Sequence, residues 1–415
     1  MLTGGAGGDA LWRVECTETC AQTPGVFAYC NLFLAQSLHF LQCPLAQSKA
    51  AGYIIGEIGV SILVLVVLTW RLKAKAMRSA EMSDLNKIFS AAGVQGGADA
   101  IDFSKLAHRS DEADAPKVYF TREITPKGLL NAYEALGRVP SGKVACKLSS
   151  GEAGNKHYLQ PALIKDLVQK LEGTIVECNT AYSGARCQSA DHWRVINEHG
   201  FTAIAPFDLM DEEGEMQIPV KHGKYLQYDV VGDHLARYDF MVVLSHAKGH
   251  AMGGFGGALK NISIGVASTH GKGLIHTAGR SDEFEGFAKV ANGAFLNNDS
   301  PEHNQFIESM AEAASAVYDY FDHGKRMLFI SVVNNLSVDC DCDGNAAPPC
   351  MRDIGILASL DPVAIDQAFI DLVNLAPDNA PMLERIHSRN GTLILDRAKE
   401  LGMGKKRYQW VDLDR

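Results

Sequence analysis

The chain has 415 residues, long enough for two domains or for one large α/β domain with additions. Hydrophobic residues make up 47% and charged residues 21%, which excludes a chain disordered throughout and a core that needs disulfide staples. The net charge of −10, from 49 acidic against 39 basic residues, argues against a general nucleic-acid-binding protein, which needs a basic surface to displace counterions.

Residues 1–52 carry Cys16, Cys20, Cys30 and Cys43 among few charges. These cysteines suit two disulfides in an oxidising compartment, with three pairings open, or ligation of a metal. An apolar run from Tyr53 to Trp70 follows, with Glu57 near one end. At about 1.5 Å per residue it can just cross a hydrocarbon layer of ~30 Å. Arg71, Lys73, Lys75 and Arg78 come next, and the positive-inside rule puts them in the cytoplasm. The expectation is a transmembrane helix over 53–76 with the rest of the chain at the cytoplasmic face. The competing readings are a buried helix or a chain that begins at Met77 or Met82, and either leaves the protein cytoplasmic. Residues 77–115, rich in Ala, Asp and Ser, read as a linker.

From residue 116 to 415 strands and helices alternate. Lys117–Thr121, Lys143–Leu148, Gly173–Cys178, Phe201–Ala205, Phe240–Ser245 and Met327–Val333 read as strands. Helical spacing covers Pro126–Leu136, with Thr125 as N-cap, and then Leu159–Leu171, 304–322, 361–375 and 379–388. The rhythm predicts an α/β fold, with a mostly parallel sheet flanked by helices. Sites in such sheets form at the carboxyl ends of strands.

Two segments there carry chemistry. The first runs from Ser245 to His276. Gly253, Gly254, Gly256 and Gly257 allow close backbone approach and amide donation to an anion. Lys260 follows, beside Asn261, at an expected helix start, as a charge clamp or an amine nucleophile. His246, His250, His270 and His276 suit metal ligation or proton transfer. A Walker phosphate loop is absent. The second segment is Asp339–Cys350, in which Cys340, Cys342 and Cys350 form a thiolate set for a soft metal or an iron–sulfur cluster. Cys178 and Cys187 are candidates for a fourth ligand. Its Asp339-x-Asp341-x-Asp343-Gly344 start also matches a calcium loop, but Cys350 stands where that loop needs Glu.

The stretch Gly249–Ile262, with Gly265-Val-Ala-Ser268 and Asp353–Ala368, resembles the uncharacterised family called domain of unknown function 362. Members of that family are commonly described as iron–sulfur proteins, so the resemblance implies such a cluster. More distantly, His250, Gly253 to Gly257, Lys260 and His276 resemble the N-terminal domain of nickel-pincer lactate racemase. That resemblance implies His250 as acid/base, Lys260 as cofactor attachment and His276 as a metal ligand. The upstream turn Ser183–Cys187 departs from it, with Arg186 but no His.

The reading is therefore an iron–sulfur or related metal-dependent redox protein acting on a small anionic substrate. His250 and Lys260 are its catalytic residues. Gly253, Gly254, Gly256, Gly257, Lys260 and Asn261 bind the cofactor, and Cys340, Cys342, Cys350 and His276 hold the metal. The alternatives are a cofactor-dependent isomerase or racemase using nickel or another divalent metal, and a non-enzymatic electron-transfer or metal-binding module. A redox partner is expected and nucleic acid is not.

Overall fold

The computed structural model describes residues 97–283 and 301–415. The expected N-terminal cysteine segment, the apolar span and most of the linker lie outside them. Among the described residues no helix is long and apolar enough to cross a membrane.

Residues 97–115, the described part of the expected linker, pack onto the domain. Ile101, Phe103 and Leu106 are buried, and Phe103 stacks on Trp410 and packs tilted against Phe120. Strand β1 (Lys117–Thr121) comes next. Helix α1 (Pro126–Ala135) starts where Thr125 accepts the Gly128 amide and Pro126 occupies the first turn, so two local signals agree. Then follow β2 (Val144–Lys147), α2 (Pro161–Lys170), β3 (Thr174–Glu177), α3 (Ser189–Glu198) and β4 (Phe207–Leu209). A hairpin of β5 (Glu215–Pro219) and β6 (Tyr228–Gly232) precedes β7 (Phe240–His246). A second, short hairpin pairs β8 (Lys248–His250) with β9 (Gly254–Gly256).

The chain continues through α4 (Ala258–Ile262), α5 (Thr269–His276), α6 (Pro301–Tyr320) and β10 (Met327–Val333). It ends with β11 (Gly355–Ser359), α7 (Pro362–Leu375), α8 (Ala380–Ser388), α9 (Leu393–Glu400) and β12 (Gln409–Asp412). Asp361 caps α7 by accepting the Val363 and Ala364 amides.

Among the described residues the main sheet has eight strands in the order β12-β1-β11-β10-β7-β2-β3-β4. Strand β11 is antiparallel to both neighbours, and the other pairings are parallel. The α/β expectation therefore holds, with one reversed strand.

Side chains alternate across the sheet and supply both cores. Val144, Cys146, Val242, Leu244, Leu328 and Ile330 face α1, α2 and α3. Ala145, Met241, Val243, Met327 and Phe329 face the core that α4, α6, α7 and α9 complete. Burial on both faces explains why these strands read as unbroken apolar runs.

The expected strand at Phe201–Ala205 is a difference. Gly200 is left-handed at φ 85° and opens a short 3-10 turn over Phe201–Ala203. The strand starts only after Pro206, whose carbonyl accepts the Ile175 amide. Proline cannot donate to a ladder, so the pairing edge is displaced beyond it.

Candidate functional site

A cavity of about 300 Å³ opens where β2, β3 and β7 end. Lys147 and Glu177 close their strands, and Ser245 and His246 close β7. The β8–β9 hairpin adds Lys248 and His250, α4 adds Lys260, α5 adds Lys272 and His276, and the loop after β10 adds Cys340, Asp341 and Cys342. The two motif-bearing segments thus meet in one pocket.

Among the described residues lining it, Lys147, Lys248, Lys260, Lys272 and Arg186 bring five cations against the two carboxylates of Glu177 and Asp341. Glu177 and Asp341 are committed to pairs. Arg186 Nη1 donates to Glu177 Oε1 at 2.8 Å, and its Nε lies 3.5 Å from Glu152 Oε2. Burial works against ionisation of Glu177, but Arg186 and His192 hold its carboxyl well below the usual range. Lys248 Nζ donates to Asp341 Oδ2 at 2.7 Å, while His246 faces Oδ1 at 2.8 Å and the Asn334 carbonyl at 2.6 Å. Both His246 nitrogens face acceptors and are placed to donate. Asp341 is likewise held below its usual range, the His246 and Lys248 charges outweighing burial.

Lys147 Nζ donates to the Leu148 carbonyl at 2.6 Å and to Asn261 Oδ1 at 2.9 Å. Burial brings it down to about 8, with Glu177 pulling the other way. Lys272 donates to the Ala267 carbonyl. Lys260 Nζ alone of these cations has no hydrogen bond or ion pair among the described residues. Desolvation, with Lys248, Lys147 and Arg186 nearby, brings it down to about 7 against the pull of Asp341.

His250 and His276 are both neutral rings with opposite tautomers. The Gly253 amide donates to His250 Nδ1 at 2.7 Å, and the Met252 amide at 3.2 Å, so the ring proton sits on Nε2. Burial, with Lys260 and His276 next, keeps His250 well below the usual imidazole range. His276 Nδ1 donates to the Lys272 carbonyl at 2.7 Å, which leaves the lone pair on Nε2. Burial is the main cause that brings His276 down to about 4. His270, by contrast, is exposed and pairs with Glu215 at the surface.

Ligand atoms of His250, Cys340 and Cys342 lie within 4.8 Å of one another, a spacing that suits one metal ion. The two sulfurs are joined as a disulfide, so ligation requires their reduction to thiolates. Cys350 is not with them. Its thiol donates to the Leu336 carbonyl at 3.2 Å, and it does not line the cavity. The expected set of three thiolates is therefore brought together as two sulfurs and an imidazole. Cys178 lines the pocket but donates to the Val266 carbonyl, and Cys187 stands outside the lining. The carboxylates of the calcium-like loop do not converge. Asp339 pairs with Arg385, Asp341 with Lys248, and Asp343 accepts the Asn345 amide.

The glycine run forms a hairpin rather than an anion cradle. Gly254 pairs with His250 and Gly256 with Lys248. Gly254 has φ +78°, and a Cβ there would meet Gly391 Cα at 2.9 Å. The first amides of α4, Ala258 and Leu259, are taken by Asp366 at 2.7 and 2.9 Å. Gly256 and Gly257 still line the cavity; Gly253 and Gly254 do not. Asn261 is a brace whose Nδ2 donates to the carbonyls of Lys147 and Leu244.

Glu177, Arg186, Lys248 and Lys272 line the site without having been named as site residues. A legible signal existed for one of them: Glu177, like Lys147, is a charge at the end of an apolar strand, where parallel sheets place their sites. Arg186 carries no such mark, because it lies in the loop between β3 and α3 rather than at a strand end.

Fold and site together define an α/β protein with a cationic, sulfur-bearing pocket at the strand ends. The chain belongs to the family described as domain of unknown function (DUF362), whose model matches residues 144–371. No curated protein matches it. Among solved structures it is similar to the lactate racemase apoprotein from Thermoanaerobacterium thermosaccharolyticum, with 12% identity and a TM-score of 0.33 over 52% of this chain and 50% of that one. It is also similar to a Thermotoga maritima protein, with 11% identity and a TM-score of 0.35 over 66% of this chain and 58% of that one. The chain thus spans about half the length of the racemase.

Proposed function

We propose that the chain is a metal-dependent redox enzyme acting on a small anion bound in this cavity. The observation that carries the reading is the coincidence, in one pocket, of five basic side chains with the paired Cys340 and Cys342 sulfurs, and with His250 beside them as a hydrogen-bond donor. The cations draw in an anion and hold it. The sulfurs, once reduced, offer two soft donors to a soft or borderline ion. Such an ion supplies Lewis acidity or electron transfer when bound. His250, with its proton on Nε2, donates to the substrate in the hydrogen bonding described; ligation through Nε2 needs loss of that proton. A cluster held by Cys340, Cys342 and Cys350 does not fit, because Cys350 is turned to Leu336. A single ion fits the two sulfurs better.

The test is elemental analysis of protein purified and reduced without oxygen. Roughly one equivalent of bound metal is expected, and Cys342→Ser should lose it. Unchanged metal content in that variant would overturn the assignment.

A cofactor-dependent isomerase is the second reading. Its support is that His276, whose Nδ1 donates to the Lys272 carbonyl, lines the same pocket as Lys260. Nickel in the purified protein together with a mass adduct on Lys260 would favour it over the first.

A further inference from the structure

We infer that Lys260 forms a covalent imine with the carbonyl carbon of a small 2-oxo acid. The inference rests on the anion-binding cavity of the proposed function and names the substrate class of that same site. Lys260 Nζ lines the pocket with no hydrogen bond or ion pair among the described residues, whereas every other lining ammonium and guanidinium group donates to a protein oxygen. An amine left without a partner among like charges is one whose uncharged, nucleophilic form is favoured. The same like charges call for an anion. Lys147 uses two of its three ammonium protons in protein hydrogen bonds and Lys248 one, so both retain donors for a carboxylate. A carboxylate for the cations and a carbonyl for the amine are the two halves of a 2-oxo acid, and a cavity of about 300 Å³ holds a small one.

The step balances without an oxidant or reductant. The ammonium gives up a proton, and the nitrogen lone pair attacks the carbonyl carbon while the C=O π pair moves to oxygen. A second proton passes from nitrogen to that oxygen. The hydroxyl then leaves as water with the first proton, and the C–O bond breaks as C=N forms. Ammonium plus carbonyl becomes protonated imine plus water. His250 Nε2–H, the ring's remaining donor, orients the carbonyl oxygen.

The experiment is borohydride trapping of the full-length protein with pyruvate, read by intact mass and peptide mapping. Butanone, a ketone without the carboxylate, serves as the uncharged control. One adduct is expected, on Lys260, forming more than about tenfold faster than at exposed lysines, whose ordinary pKa is near 10.4. Its rate should rise as pH passes through about 7, where the free amine appears. Lys260→Arg, checked for folding by circular dichroism, should abolish it, and mapping of the unmodified sequence locates the adduct even if that variant fails to fold. Labelling spread over surface lysines, equal labelling by butanone, or a Lys260 already modified as purified would each overturn the inference. Metal content measured on the same sample reports separately on the metal reading, so either failure is seen alone.

Discussion

Two charged side chains drawn into the protein, Asp371 and Lys260, are treated in opposite ways. Asp371 on α7 has both oxygens in use. Oδ1 accepts from His108 Nδ1 and Gln367 Nε2, and Oδ2 from the His108 amide and the Tyr408 hydroxyl. It ties the segment before β1, helix α7 and the lead into β12 into one unit. Lys260 has no partner among the described residues and opens on a cavity. A charge held on every side, like Asp371, serves structure; the role proposed for Lys260 needs the opposite, a half-buried amine left unpartnered where a ligand can reach it.

The comparison can be broken most severely at Arg186. Arg186→Met leaves Glu177 and Glu152 buried without their cation, and a loss of about 3–5 kcal/mol is expected in urea unfolding. A loss near zero would mean that this pair does not hold the cavity wall. Next is Tyr408→Phe, which removes one donor from a buried carboxylate and should cost about 2 kcal/mol. Because the Asp371 knot lies away from the pocket lining, imine trapping at Lys260 should be unchanged in that variant. Altered trapping would show that the two regions are coupled.

A smaller effect, about 1 kcal/mol, is expected for Asp366→Asn, which keeps one acceptor for the first turn of α4. Asp366 also gives a pH signature. Burial raises its carboxyl from 3.8 to about 7, so the folded state binds the extra proton between those values. Stability contributed by this group is therefore greatest below 3.8 and declines as pH rises towards 7. Asp366→Asn should flatten that decline in a series of urea titrations. Asp341 has the opposite sign: its carboxyl is held down by His246 and Lys248, so its contribution is present at neutral pH and is lost progressively as pH falls below the ordinary value of 3.8.

Much of the fold was readable because periodicity is local. Thr125 and Pro126 mark a helix start within a few residues, and β2, β7 and β10 are apolar runs that only a sheet covered on both faces accommodates. The reversed strand β11 was not readable, since Gly355–Ser359 carries no mark of direction. The site divides in the same way. His250, Lys260 and the Cys340–Cys342 pair were legible as clustered reactive types. The loss of Cys350 to Leu336, and the capture of the α4 amides by Asp366, depend on residues brought in from elsewhere in the chain. The pairing that separates Lys248 from Lys260 is of the same kind, because Asp341 arrives from the loop after β10.

The glycine contact between the β8–β9 turn and the segment after α8 has a consequence of its own. A methyl group at Gly391 would stand 2.9 Å from the Gly253 carbonyl and 3.1 Å from Gly254 Cα, all backbone that cannot rotate aside. The hairpin so displaced carries Lys248 at one end and His250 at the other. Two unadorned stretches of main chain, touching outside the pocket, thus act as the gauge block against which its basic and imidazole groups are aligned.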